Sequence, residues 1–192
     1  MPLSHRERVI RALSHQEVDR VPFDLGSTPN SSIHIEEYQK LKAYFGVEAE
    51  DTIIHKMMQT ALVHESVLQA LDIDVRGVLY GAPDSRPDIP VGEDSYQDSL
   101  GVVRHKPPGS LYYDLEKCPL AGPITIRDIV NYSWPDPSDP GFTRGIRERL
   151  LYLRENSDYA TVLYLPAPFV HISQYLRGLE NWFLDLVTDE KL

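Results

Sequence analysis

Residues 159–166 read YATVLYLP, and this stretch decides the fold class. It is almost wholly apolar, rich in β-branched and aromatic residues, and closed by a proline. A strand apolar on both faces is usually covered on both, which favours a parallel sheet. Just upstream, FTRGIRERLLYLREN (142–156) predicts a helix with Ile146, Leu150, Leu151 and Leu153 inward and Arg147, Glu148 and Arg149 in water. Just downstream, Pro168 suits the first turn of another helix, along which Ile172, Leu176, Leu179, Phe183 and Leu186 recur at 4-3-4-3 spacing. Gly178 falls inside that helix, at a cost of roughly 1 kcal/mol relative to Ala.

Working back toward the start, DVRGVLYG (74–81) predicts a second strand, from Val75 to Tyr80. Before it, TALVHESVLQALDI (60–73) carries Leu62, Val63, Val67, Leu68 and Leu71 at helical spacing. HIEEYQKLKAYFG (34–46) is a helix with Ile35, Tyr38, Leu41 and Phe45 on one side and Gly46 as its stop. RVPFDLGS (20–27) alternates Val21, Phe23 and Leu25 as a strand that leads into a loop at Gly26, with Pro22 confining it to a strand start or an edge. The first helix opens at Ser4, where SHRE has the form of a capping box between Ser4 and Glu7.

Between Ala82 and Gly122 prolines are frequent, and LGVVRHK and SLYYDL predict two short strands about a Pro107-Pro108-Gly109 turn. TIRDIVNY (125–132) returns to helix. Strands separated by helical crossovers belong to α/β folds with parallel strands, either doubly wound or in a (β/α) barrel. A closed eight-stranded barrel needs about 200 residues or more. This chain of 192 residues, with three core strands, is too short to close one. The expectation is a single domain over residues 1–192: a partial (β/α)8 barrel, its N-terminal half, with a β-hairpin excursion.

Hydrophobic residues make up 42% and charged residues 25% of the chain, which is ordinary globular composition. The net charge of −10 and the absence of a Lys/Arg block disfavour nucleic acid and anionic membranes as partners. The single cysteine, Cys118, reads as a structural thiol, and no Cys-x-x-Cys pair is present. MPLSHRERVIRAL is too charged for a signal peptide, and no apolar run approaches the ~18 residues of a membrane span, so a cytoplasmic setting is expected. There is no Gly-rich phosphate motif, nucleophile elbow or His-Glu-x-x-His.

Three stretches resemble one family. RERVIRALSHQEVDRVPFDLG (6–26) resembles the opening of uroporphyrinogen decarboxylase-like proteins, where an Arg-rich helix leads through an x-x-D-R-x-P step into the first barrel strand. LQALDIDVRGVL (68–79) is similar to their L-x-x-D helix-to-strand junction, and YLPAPFVHISQYLRGLENWFLDL (164–186) resembles their G-x-P-F…Y-L-x-G segment. The resemblance implies the first half of a (β/α)8 barrel. True decarboxylases of the family carry an R-Q-A-G-R loop whose arginines grip substrate carboxylates; here the same place reads DLGSTPNSS. The loss of both arginines points to the other branch, methyltransferases that work with a corrinoid protein. Those hold zinc through His and Cys ligands lying mainly in the second half of the barrel, so zinc is expected in a full-length parent and no cofactor in this chain. Decarboxylation of a porphyrinogen is the alternative. A catalytically inert half-barrel that assembles with a complementary half, or with itself, is a third reading.

In a (β/α) barrel, chemistry sits at the C-terminal ends of the strands. Asp24 and Ser27 follow the first strand; they could bind a small-molecule substrate or simply cap a turn. Asp84 follows the second strand, about two residues beyond the family's Asp, and could orient substrate or serve a turn beside Pro83. After the third strand comes His171, a potential donor or packing residue, and Tyr175, which loosely matches a pocket tyrosine of the family.

Overall fold

The structure is a computed structural model that describes residues 2–165 and 168–188. In chain order run α1 (His5–Leu13), α2 (Ile35–Tyr44), β1 (Ile53–His55), β2 (Thr60–Ala61), α3 (Glu65–Ala70), β3 (Val75–Leu79), β4 (Ile89–Gly92), β5 (Ser95–Gln97), β6 (Val103–His105), β7 (Asp114–Lys117), α4 (Ile126–Val130), α5 (Ile146–Asn156), β8 (Ala160–Tyr164), α6 (Ser173–Arg177) and α7 (Leu179–Thr188). The architecture is mixed α/β, with one two-stranded parallel sheet and two small antiparallel sheets, and the described strands do not close a barrel. No helix among the described residues is long and apolar enough to cross a membrane. The chain divides into two compact units: Met1–Tyr80 with Thr143–Leu165, and Gly81–Phe142 with Pro166–Leu192.

The first unit is built on the parallel pair β3–β8, in register from Val75 beside Ala160 to Leu79 beside Tyr164. The decisive apolar stretch thus forms a parallel strand. Its covering is uneven: Ala160 is buried, but Leu163 is 40% and Leu165 61% exposed. Tyr38, Ala61, Val63, Val67, Leu68 and Ile73 form the core of this unit. The Tyr38 hydroxyl accepts the His64 N–H at 2.7 Å, so its one polar atom is satisfied within that core.

Asp74, immediately before β3, fastens the start of the chain to the sheet. Its side chain is fully buried and accepts from Arg8, from Arg20 (2.6 Å), and from the Phe23 N–H (2.7 Å), with His5 Nδ1 at 2.8 Å. Asp19 in turn accepts from Arg8 at 2.7 and 2.9 Å. Burial pushes the Asp74 carboxyl up, but hydrogen bonds from the Phe23 N–H, Arg20, His5 and Arg8 overcome it and hold the group at about 2. Buried charge is tolerated here because every lone pair has a partner. The capping box is present, with Ser4 Oγ accepting the Glu7 N–H and Glu7 accepting the Ser4 N–H at 3.0 Å.

Three expected elements of this unit differ. Residues 21–25 form no strand ladder. Pro22 has no N–H to give, and Phe23 spends its N–H on the Asp74 carboxylate and its C=O on the Asp74 N–H. The helix expected over 60–73 begins only after His64, whose side chain caps the Ser66 N–H; Thr60 and Ala61 pair instead with β1. In α5, Leu153 is buried as expected, but Leu151 turns outward and is 40% exposed.

The second unit holds the antiparallel meander β4-β5-β6-β7. Of the two short strands expected about Pro107-Pro108-Gly109, the first contains β6, whereas the second starts only at Asp114 and runs on to Lys117 as β7; β4 and β5 extend the meander on the other side. Its core is Val102, Leu120 and Leu176, flanked by Leu115, Ile124, Tyr132 and Ile172. The helix expected to run unbroken through Gly178 is interrupted. A π-turn over Pro168–Ile172 leads into α6, then Gly178 at φ +75°, ψ 144° separates α6 from α7. This backbone region is essentially reserved for glycine, so Gly178 ends a helix rather than weakening one.

Candidate functional site

The five residues singled out in the sequence fall into three places. Asp24 and Ser27 meet directly. The Ser27 Oγ donates to Asp24 Oδ2 at 2.5 Å and its N–H to Oδ1 at 3.2 Å, which is an Asx-type closure of the loop. Thr28 and Ser31 bond each other in the same loop, and the Gly26 N–H donates to the Ser31 carbonyl. Ser27 is 2% exposed while Asp24 faces solvent. This short polar knot therefore presents hydroxyls and one carboxylate, and no cationic group.

The knot lies against β3: a Cβ built on Gly77 would sit 2.1 Å from the Ser27 carbonyl oxygen. Beside it opens a cleft of about 450 Å³ whose lining includes Gly26, Thr52, His64, Glu65, Gly77 and Arg149. The buried Arg76 forms part of the wall. Its guanidinium lies 3.5 Å over the Tyr159 ring and donates to Glu65 at 2.8 and 2.9 Å. The cleft offers both signs of charge at the level of the loop carrying Asp24 and Ser27.

In the second unit, His171 and Tyr175 stack with ring centroids 6.2 Å apart and planes 20° from parallel. Beneath them Arg104, 5% exposed, places its guanidinium 4.4 Å from the Tyr175 centroid. Asp98 approaches Arg104 at 3.6 Å. Burial pushes the Asp98 carboxyl and the Cys118 thiol up, and the Arg104 charge opposes both shifts. A thiol so placed is a poor nucleophile, in keeping with a structural role. His171 is exposed at the top of the stack, where it can offer a donor or acceptor to a ligand.

Asp84 stands apart from that stack. Its N–H donates to Asp139 at 2.9 Å, together with the N–H and hydroxyl of Ser85 and the N–H of Gly141. These donors, the Ser85 hydroxyl first, hold the Asp139 carboxyl well below the usual range. The loop is thus organised by Asp139, which the sequence did not single out, with Asp84 supplying backbone.

Sequence reasoning also missed an open polar groove of about 720 Å³ on the meander. Ser95 and His105, directly opposite each other in β5 and β6, meet there with Oγ 2.9 Å from Nδ1. Gln97, Glu116 and Lys117 line the same groove. Strand register would have found the pair; residue type alone could not. Among the described residues, no three His, Cys, Asp or Glu side chains gather as metal ligands. Comparison with protein-family models, curated proteins and solved structures finds no match for this chain.

Proposed function

We propose that this chain forms the N-terminal part of a uroporphyrinogen decarboxylase-like (β/α)8 barrel whose parent activity is methyl transfer with a corrinoid protein. The observation that carries the choice of chemistry is the loop after residues 21–25. Asp24, Ser27, Thr28 and Ser31 close on one another, and residues 24–32 hold no arginine to grip the acetate groups of a porphyrinogen. Support for the barrel reading comes from the parallel β3–β8 pair and from the Asp74 cluster. Arg8, Asp19, Arg20 and Asp74, which all lie in the stretches that carry the resemblance, converge at the N-terminal end of β3, the end that reads as stability in such barrels. On this reading the residues of the chain contribute one wall of the site, and zinc and its ligands belong to the remainder of the parent.

The test is demethylation of methylcobalamin by a thiol, followed spectroscopically. The chain alone is expected to be inactive, and the chain joined to the rest of its barrel active in a zinc-dependent manner. Turnover of uroporphyrinogen in the same preparations would reject methyl transfer in favour of decarboxylation.

A second reading, assembly with a complementary half-barrel or a second copy, is favoured by apolar exposure. Leu163 and Leu165 in the first unit, and Phe183, Leu186 and Val187 in the second, are each 40–80% exposed. Sedimentation of the isolated chain tests it. A concentration-dependent oligomer is expected, and a monomer at all concentrations counts against it.

A further inference from the structure

The apolar spacing of residues 172–186 and the backbone of the same segment disagree. On a straight helix Leu176, Leu179, Phe183 and Leu186 would share one stripe. In the structure Leu176 is 3% exposed, whereas Leu179, Phe183 and Leu186 are 51%, 58% and 61% exposed. The break at Gly178 divides a single stripe into a buried half and a bare half.

Three features hold the break. Gly178 adopts φ +75°, ψ 144°, which other residues rarely reach. Arg177 grips Asp185 through two hydrogen bonds of 2.7 and 3.0 Å. Those residues are eight apart, which on a straight helix means ~12 Å along the axis and about 80° around it, too far and too oblique for a bidentate pair. Finally, the Leu176 carbonyl accepts the Leu120 N–H at 2.9 Å instead of a helical N–H four residues on. A cavity of about 320 Å³ lies at the break, walled by Ser173 and Leu176 of α6, Trp182 and Leu186 of α7, and Leu120 and Trp134.

We propose that residues 173–188 form a two-state helix: broken and latched by Arg177–Asp185, as seen, or continuous, with Leu176, Leu179, Phe183 and Leu186 on one face. The broken state carries the cavity; straightening moves Trp182, Asp185 and Leu186 away from Ser173 and abolishes it.

Amide hydrogen exchange reads the two states directly. In the continuous form the N–H groups of Leu179, Glu180 and Asn181 find acceptors at Tyr175, Leu176 and Arg177; across the break those helical bonds are not made. Gly178→Ala disfavours the broken backbone, and Asp185→Ala removes the latch without touching it. Protection of residues 179–181 is expected to rise at least tenfold in Gly178→Ala and by a smaller factor in Asp185→Ala, with near-ultraviolet dichroism retained. Exchange at the unmodified rate in both variants overturns the two-state reading. If Gly178→Ala does not fold, an unmodified rate in Asp185→Ala alone overturns it.

Discussion

The carbonyl oxygen of Ser27 occupies the space where a side chain on Gly77 would begin, 2.1 Å from an ideal Cβ. The polar knot carrying Asp24 and Ser27 therefore rests on β3 only because that strand has no side chain at its centre. Gly77→Ala is expected to destabilise the first unit by about 3 kcal/mol or more, since backbone must move to admit the methyl group. Gly109→Ala is the comparison. It has a positive φ of 79° but nothing within 4 Å, and it should cost about 1 kcal/mol. Urea denaturation of the two variants measures the difference.

Asp74→Asn should be among the most damaging polar substitutions in the first unit. It leaves Arg8 and Arg20 without their shared buried carboxylate, at a cost of about 3 to 5 kcal/mol. Glu37→Gln, which breaks the exposed Lys40–Glu37 pair, should leave the transition where it is. Chemical denaturation at neutral pH distinguishes them.

The same carboxylate sets an acid limit. Its pKa is lowered in the fold to about 2, so the folded state binds its proton less readily than the unfolded chain does. The stabilisation, about 2 kcal/mol, is fully present above the unfolded value near 4 and is lost as pH falls toward 2. Stability of the unmodified chain should fall through that window. Asp74→Asn should lack this component, so the gap between the two narrows on acidification.

Asp98 works with the opposite sign. Burial raises its pKa, so its contribution to the second unit is greatest below the unfolded value and declines as pH rises through the folded one. Its Oδ1 accepts both the Leu100 and Val102 N–H groups at 2.9 and 3.1 Å, and an asparagine oxygen can keep both bonds. Asp98→Asn should therefore be well tolerated and should remove that downward component from a plot of stability against pH.

Arg76→Lys should cost about 2 kcal/mol despite preserving charge. A lysine cannot both lie flat on Tyr159 and make the two-pronged contact with Glu65. Thermal unfolding of the variant checks this, and Arg76→Lys with Tyr159→Leu should lose less than the sum of the single changes.

Much of the scaffold was legible because its signals are local. The Ser4–Glu7 box, the α2 stripe ending at Gly46 and the β-branched runs of β3 and β8 each announce themselves within a dozen residues. The misread elements are those settled at a distance. Residues 21–25 have strand-like alternation, but the Asp74 side chain takes the N–H that a ladder would have used. Residues 60–64 carry helical spacing, yet His64 serves as a cap and releases Thr60 and Ala61 to β1. At the candidate sites, Asp24 with Ser27 could be anticipated as neighbours in a turn. Arg104 beneath Tyr175 is 71 positions away from it, and the Ser95–His105 pair depends on strand register; neither relation exists in local sequence.

The first unit is sewn together from its two extremes. The Arg6 N–H donates to the Asp158 carbonyl at 2.7 Å, its guanidinium reaches the carbonyls of Ser157 and Tyr159, and β3 must wait for β8 as its partner. A ribosome therefore has to deliver residue 164 before this unit can close, while β4 to β7 can already pair among themselves. During synthesis β3 spends the time needed to make some eighty further residues with its principal neighbour missing. Nascent chains arrested inside that interval should be the ones that chaperones hold and proteases cut.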